Sequence, residues 1–86
     1  MNICVYGASS DDIAPEYIAE TEALGAELAR RGHGLVFGGG GHGLMGAVAR
    51  GAVSAGGTVC GVAPRFFESE GILFARCTTL IRTETM

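Results

Sequence analysis

The run Gly38-Gly39-Gly40-Gly41-His42-Gly43-Leu44-Met45-Gly46 stands between a short apolar stretch, Leu35-Val36-Phe37, and a segment of helical pattern. Glycine admits positive φ and lets a backbone come close to a ligand, and a helix start offers unpaired N–H groups carrying partial positive charge. A phosphate or a carboxylate suits such a turn. Five glycines fill the six positions 38–43, each costing up to about 1 kcal/mol of folding free energy relative to alanine, more than a plain turn requires. Gly38, Gly39, Gly40, Gly41 and Gly43 are therefore read as ligand-binding, whereas Gly46 and Gly51 read as close-packing residues.

A second set, Gly7-Ala8-Ser9-Ser10, follows the apolar run Ile3-Cys4-Val5-Tyr6 and adds two small hydroxyls. Open α/β sheets bind ligands at the carboxyl ends of their strands, so both turns belong at one crevice. Ser9 and Ser10 read equally as ligand contacts or as turn caps. Met45 reads as packing or as a flexible pocket wall, and Glu70 is the carboxylate to watch, because it follows the third strand at the ligand edge. Neither serine has a histidine and carboxylate that can be placed beside it as a nucleophile requires. His33 and His42 lack partners at metal-ligand spacing, and no metal is expected.

Gly41, Gly43 and Gly46 also match G-x-G-x-x-G, but a dinucleotide fingerprint should follow the first strand, with an acidic residue ending the next. Here the third strand ends in Val62-Ala63-Pro64-Arg65. Arg65 keeps an NADP site open as an alternative by way of a 2′-phosphate. The chain contains no lysine, which excludes a lysine Schiff base and the P-loop lysine within these residues.

The elements that must position these turns alternate evenly. Ile3–Tyr6 is the first strand, and Glu16–Arg31 is a helix begun by Pro15, with Tyr17, Thr21, Leu24 and Leu28 as its buried stripe and Glu27 paired with Arg31. Gly32 and Gly34 release the chain into a second strand, Leu35–Phe37. A second helix runs from about Gly43 to Ala55, with Leu44, Val48, Ala52 and Ala55 on one face. Thr58–Ala63 and Thr78–Ile81 are further strands. The β-α-β order implies right-handed crossovers and a parallel sheet. The expected fold class is α/β, a Rossmann-like parallel sheet with flanking helices, ending after the fourth strand.

At 86 residues and 48% apolar content the chain forms one domain at most, burying only about 60–65% of its unfolded surface. A net charge of −3 with six scattered arginines argues against nucleic acid as a partner. No apolar run nears the ~20 residues of a membrane helix. Cys4, Cys60 and Cys77 form no C-x-x-C pair, and Cys4 and Cys60, inside apolar runs, read as small buried packing residues of a protein in reducing cytosol. The fourth strand leaves an unprotected edge, so dimerisation or aggregation is expected.

Ile3 to Ser10, the G-G-G-x-x-G-L-M-G signature spanning Gly38 to Gly46, Gly61-Val62-Ala63-Pro64 and Thr83-Glu84-Thr85-Met86 together resemble the LOG ("Lonely guy") family over essentially the whole chain. That resemblance implies a Rossmann-like fold, a homodimer and a cytoplasmic enzyme of cytokinin biosynthesis without cofactor. The implied reaction is hydrolysis of the N-glycosidic bond of a nucleoside 5′-monophosphate, such as AMP or a cytokinin riboside monophosphate, to free base and ribose 5-phosphate. The implied pocket residues are Ser9, Ser10, Gly38, Gly39, Gly40, Gly41, Gly43, Met45 and Glu70. The family's second motif, P-G-G-x-G-T-x-x-E, and the Arg-Lys pair before it would fall beyond Met86. Residues 1–86 thus read as the amino-terminal part of one nucleotide-binding domain, expected to be inactive alone. A nucleotide-binding carrier without catalysis is the alternative from another functional class.

Overall fold

Among the described residues two helices alternate with the first three of four strands, so that each helix packs on the neighbouring strands or on the other helix. A computed structural model describes residues 1–8, 10, 12–64, 74 and 76–84. The elements are β1 (Asn2–Cys4), α1 (Pro15–Arg30), β2 (Gly34–Phe37), α2 (Gly43–Ser54), β3 (Val59–Pro64) and β4 (Thr79–Thr83). All pair in parallel, in the order β1-β2-β3-β4. β1 and β2 begin one residue earlier than the apolar runs predict, and β3 and β4 begin one residue later. The parallel α/β architecture read from the sequence is the one observed.

Both helices end in the same way. Gly32 and Gly56 take φ of 79°, and in each case the glycine and its successor return N–H groups to the last turn: Gly32 to Ala29 and His33 to Leu28, Gly56 to Val53 and Gly57 to Ala52. This paired closure satisfies carbonyls that the helix would otherwise leave open and requires the left-handed conformation at that one position. Glu27 bonds Arg30 and Arg31, each at 3.1 Å. The hydrogen bond and charge of Arg31, with Arg30 adding to them, hold the Glu27 carboxyl below its ordinary range. Both partners are exposed, so solvent screens the pair.

Leu35, Phe37, Val59 and Ala63 alternate along β2 and β3 on one side of the sheet and are almost fully buried. There they meet Met45, Val48, Ala49 and Ala52 of α2, and Phe74 closes the layer edge-on to Phe37 at 6.0 Å. Of the buried stripe expected on α1, Leu28 packs against the core, but Tyr17 and Leu24 are 60% and 47% exposed. The helix turns Gly25 inward instead, and packs mainly against α2 rather than on the sheet. A Cβ at Gly25 would overlap the Val48 carbonyl, and one at Gly51 would overlap the Glu22 carbonyl. Backbone meets backbone at this crossing, which is why large apolar residues were a poor guide to it. Of the stripe expected on α2, Val48 and Ala52 are buried, Leu44 is half-buried and Ala55 is exposed, and burial extends beyond it to Gly43, Met45, Gly46, Ala47, Ala49 and Gly51.

Two crossovers that advance in one direction along the sheet place both helices on one face. The other face carries Cys4, Val36, Cys60, Val62 and Ile81. Cys4 is exposed and Cys60 half-buried, contrary to their expected burial, and Val62 and Ile81 are 38% and 50% exposed. Cys77 lies under the helix layer, its thiol donating to the Phe74 carbonyl at 3.6 Å. Burial, reinforced by the nearby Cys60, raises the pKa of that thiol. Reaction with a charged thiol reagent at pH 7.5 is expected to modify Cys4 first and Cys77 last. Mass spectrometry of partly modified chain, showing Cys77 labelled ahead of Cys4, would contradict the one-sided layering.

A Gly25→Ala substitution gains up to about 1 kcal/mol of helix propensity but sets a methyl group against main chain that cannot yield without parting the helices, at about 1–3 kcal/mol. A net loss is expected, seen as a lower urea midpoint. An unchanged or higher midpoint would refute the close crossing.

Candidate functional site

The carboxyl edge of the sheet gathers both turns singled out in the sequence. At the start of α2, His42 occupies the cap position in an extended conformation (φ −115°, ψ 159°) and makes no side-chain cap bond. Ser, Thr, Asp or Asn would normally supply the oxygen there. The carbonyl of Ala8 replaces it, accepting the N–H of Leu44 at 2.8 Å and that of Met45 at 3.4 Å. A backbone oxygen from the loop after β1 therefore caps the helix after β2. Contact at Gly7, where an added Cβ would lie 3.1 Å from Leu44 Cβ, shows how little room the two turns leave one another.

This cap redefines where an anion would be held. The Leu44 and Met45 amides, which a free helix start would offer, are committed to Ala8, and Gly46 donates to the His42 carbonyl at 3.0 Å. An anion at this edge would be met by amides upstream of Leu44. Neither turn carries an arginine or lysine of its own, but the Arg50 guanidinium of α2 reaches back to within 3.0 Å of where a Gly46 Cβ would stand.

The glycines divide by what surrounds them. Gly39 is buried with φ of 84°; a Cβ there would lie 2.8 Å from Ala63 Cβ, and its carbonyl accepts the Phe74 amide at 2.7 Å. Gly43 has φ of 60° and, like Gly40, is buried, while Gly38 and Gly41 are half-buried. Met45 belongs to the core, its methyl 3.0 Å from where a Gly38 Cβ would stand. Gly46 and Gly51 pack tightly against the Gly41 and Glu22 carbonyls respectively. Ser10 is exposed and its hydroxyl accepts the Asp12 amide at 3.0 Å, which is the turn-capping geometry. Ser9, Arg65 and Glu70 lie outside the described residues.

Two hollows formed by described residues lie elsewhere. One, of about 330 Å³, runs between the helices past Ala19, Glu22, Ala23 and Gly51; the other, of about 230 Å³, lies beside Asn2, Val36, Thr58, Cys60 and Thr79. Among the described residues no three His, Cys, Asp or Glu side chains gather as a metal site, and no helix is long and apolar enough to cross a membrane. Sequence reasoning missed the Ala8 carbonyl. The signal for it was the lack of a capping side chain at position 42.

With the geometry in place, comparison with known proteins is decisive at the level of family: the SLOG cluster4 family matches residues 1–85. The chain belongs to the SLOG cluster4 family. Its resemblance to LOG proteins is borne out by relatives of that name. A cytokinin riboside 5′-monophosphate phosphoribohydrolase of Mycobacterium marinum is 37% identical over 84 residues, covering 98% of this chain and 44% of the relative. The probable phosphoribohydrolase LOGL5 of Oryza sativa is 44% identical over 62 residues, covering 72% of this chain and 25% of the relative. Among solved structures, the molybdenum cofactor carrier protein of Chlamydomonas reinhardtii superposes with a TM-score of 0.81 at 30% identity, covering 95% of this chain and 49% of the carrier. The protein TM1055 gives a TM-score of 0.72 at 26% identity over 98% of this chain and 46% of its own. This SLOG chain thus spans half or less of the length of these relatives.

Gly39 and Gly32 together separate conformation from contact. Both have positive φ, but nothing lies within 4 Å of a Cβ at Gly32. Gly32→Ala is expected to cost the left-handed penalty of about 1–2 kcal/mol, and Gly39→Ala to add about 1–3 kcal/mol for displacing Ala63. Urea denaturation of the two variants should show the larger loss at Gly39; equal losses would remove the packing of this turn on β3.

Proposed function

We propose that this chain supplies the first-strand loop and the glycine turn of a nucleoside 5′-monophosphate pocket, in a phosphoribohydrolase that releases free base and ribose 5-phosphate. The carrying observation is the Ala8 carbonyl on the Leu44 amide, which fastens the two turns side by side at the edge where open α/β sheets bind ligands. Relatives named for this activity supply the reaction class.

In this reading Gly38, Gly39, Gly40, Gly41 and Gly43 let the substrate approach main-chain amides, Ser9 and Ser10 add hydroxyls, Met45 lies beneath as the pocket floor, and Glu70 is the candidate carboxylate contact. Fixing the phosphate positions the ribose. Cleavage then requires stabilisation of an oxocarbenium-like sugar while a carboxylate orients or activates water. The P-G-G-x-G-T-x-x-E motif that holds that carboxylate in the LOG pattern has no counterpart in residues 1–86, so binding without turnover is expected of this chain alone.

The carrier similarity favours a second reading, nucleotide or cofactor binding without cleavage. Titration of ¹⁵N-labelled chain with AMP tests the pocket itself. Shifts are expected at amides 38–43 and at Ser9 and Ser10, with Leu44 and Met45 little changed because Ala8 holds them. Shifts confined to other surfaces would end the proposal, and release of adenine by the chain alone would refute the assignment of catalysis outside it. Adenine and ribose 5-phosphate produced by a protein that carries both motifs, against AMP bound intact, separates enzyme from carrier.

A further inference from the structure

Arg50 is the one charged residue of α2, and the pocket described above makes no use of it. Side chains on a helix lean toward its amino end and lie over the preceding turn. Arg50 follows that rule. Its Nη1 comes within 3.0 Å of where a Cβ at Gly46 would stand, and the same Cβ would overlap the Gly41 carbonyl. The guanidinium therefore lies one turn back along the helix, beside the last part of the glycine run. A side chain at position 46 would have to share that space.

Glu22 faces it from α1. The Glu22 carbonyl is the group that a Cβ at Gly51 would overlap, so the close helix crossing itself sets Glu22 opposite Arg50. Their side chains meet at 3.7 Å, Nε to Oε2, with 38% of the arginine and 48% of the glutamate exposed. An ion pair that long and that exposed holds its partners weakly. The place is also the wrong one for a cation by helix electrostatics, which favour positive side chains at the carboxyl end. Arg30 obeys that preference in the last turn of α1; Arg50 reverses it by carrying its charge back to the first turn of α2. A cation added to the positive end of a helix strengthens the attraction for an anion, in a chain whose net charge of −3 otherwise repels one.

We propose that Arg50 and Glu22 set how strongly the glycine turn prefers a phosphorylated nucleoside to an unphosphorylated one. Arg50 is a positioning residue: from behind Gly41 it steadies that end of the turn and adds positive potential, without touching the ligand. Glu22 is the counter-charge that limits the effect. A phosphate on the amides of residues 38–43 lies about one peptide unit and a contact distance from the guanidinium, roughly 6–8 Å, within the reach of an unscreened charge at physiological salt. The inference rests on the reading of this turn as a nucleoside monophosphate pocket, and it is independent of whether the bound nucleotide is cleaved. Because the two residues carry opposite charges, they affect phosphate affinity in opposite directions, which a pair that merely braced the helices would not do.

The ¹⁵N-labelled chain and its variants are titrated with AMP and with adenosine, and the amides of residues 38–43 are followed. Arg50→Gln is expected to weaken AMP about three- to tenfold, as loss of a unit charge at that range near a protein surface should, and to leave adenosine unchanged. Arg50→Lys, which keeps the charge, retains most of the affinity. Glu22→Gln tightens AMP about two- to fivefold, and both differences shrink as salt is raised from about 20 to 300 mM. Arg31→Gln, at the far end of α1, changes neither ligand. Equal weakening of AMP and adenosine by Arg50→Gln, or weaker AMP binding in Glu22→Gln, would overturn the proposal; if Arg50→Gln does not fold, the direction of the change in Glu22→Gln decides alone. AMP that shifts these amides but is indifferent to both substitutions defeats this inference and leaves the pocket standing. AMP that shifts none of them in the unaltered chain defeats both.

Discussion

The Ala8 carbonyl accepts two amides from the first turn of α2, and the shape of the whole carboxyl edge depends on that arrangement. A helix start without a capping side chain has N–H groups to satisfy, and a strand end leaving the sheet has carbonyls to satisfy. Each resolves the other's deficit. The loop after β1 is thereby held against the loop after β2 by main-chain bonds, and the two can be close because residues 7 and 8 are glycine and alanine. The two turns are thus organised by backbone bonds, with the Arg50 guanidinium close by at Gly46.

The order of elements was legible because each boundary has a local cause: Pro15 opens α1, Gly32 and Gly56 close the two helices, and runs such as Leu35-Val36-Phe37 have only one compatible state. What was not legible depends on partners distant in sequence. The stripe Tyr17, Thr21, Leu24 and Leu28 assumed that large apolar residues mark the buried side, but α1 crosses α2 at Gly25 and Gly51, and glycine contributes nothing to a hydrophobic pattern. Cys4 and Cys60 were expected inside because their runs are apolar on both faces; whether both faces are covered depends on strand order, which no periodicity records.

The candidate site divides along the same line. The location of the glycine turn between strand and helix follows from sequence, as does the packing role of Gly46 and Gly51. The division of labour within the run does not. Gly39 is pressed on Ala63 and bonded through its carbonyl to Phe74, contacts made with residues 24 and 35 positions further along, so part of the glycine content serves assembly of the edge. Ser10 is similarly engaged, by the Asp12 amide.

α2 has α1 on one side and the sheet on the other, and most of its residues, small ones such as Gly46, Ala47, Ala49, Gly51 and Ala52 among them, are buried. At the crossing with α1 and at Gly46, any slide of this helix would drive backbone into backbone. Recognition at its amino end must therefore operate by adjustment of the upstream turn alone, against a floor that stays rigid. Selectivity among ligands in such a place would come from a fixed outline and little from accommodation.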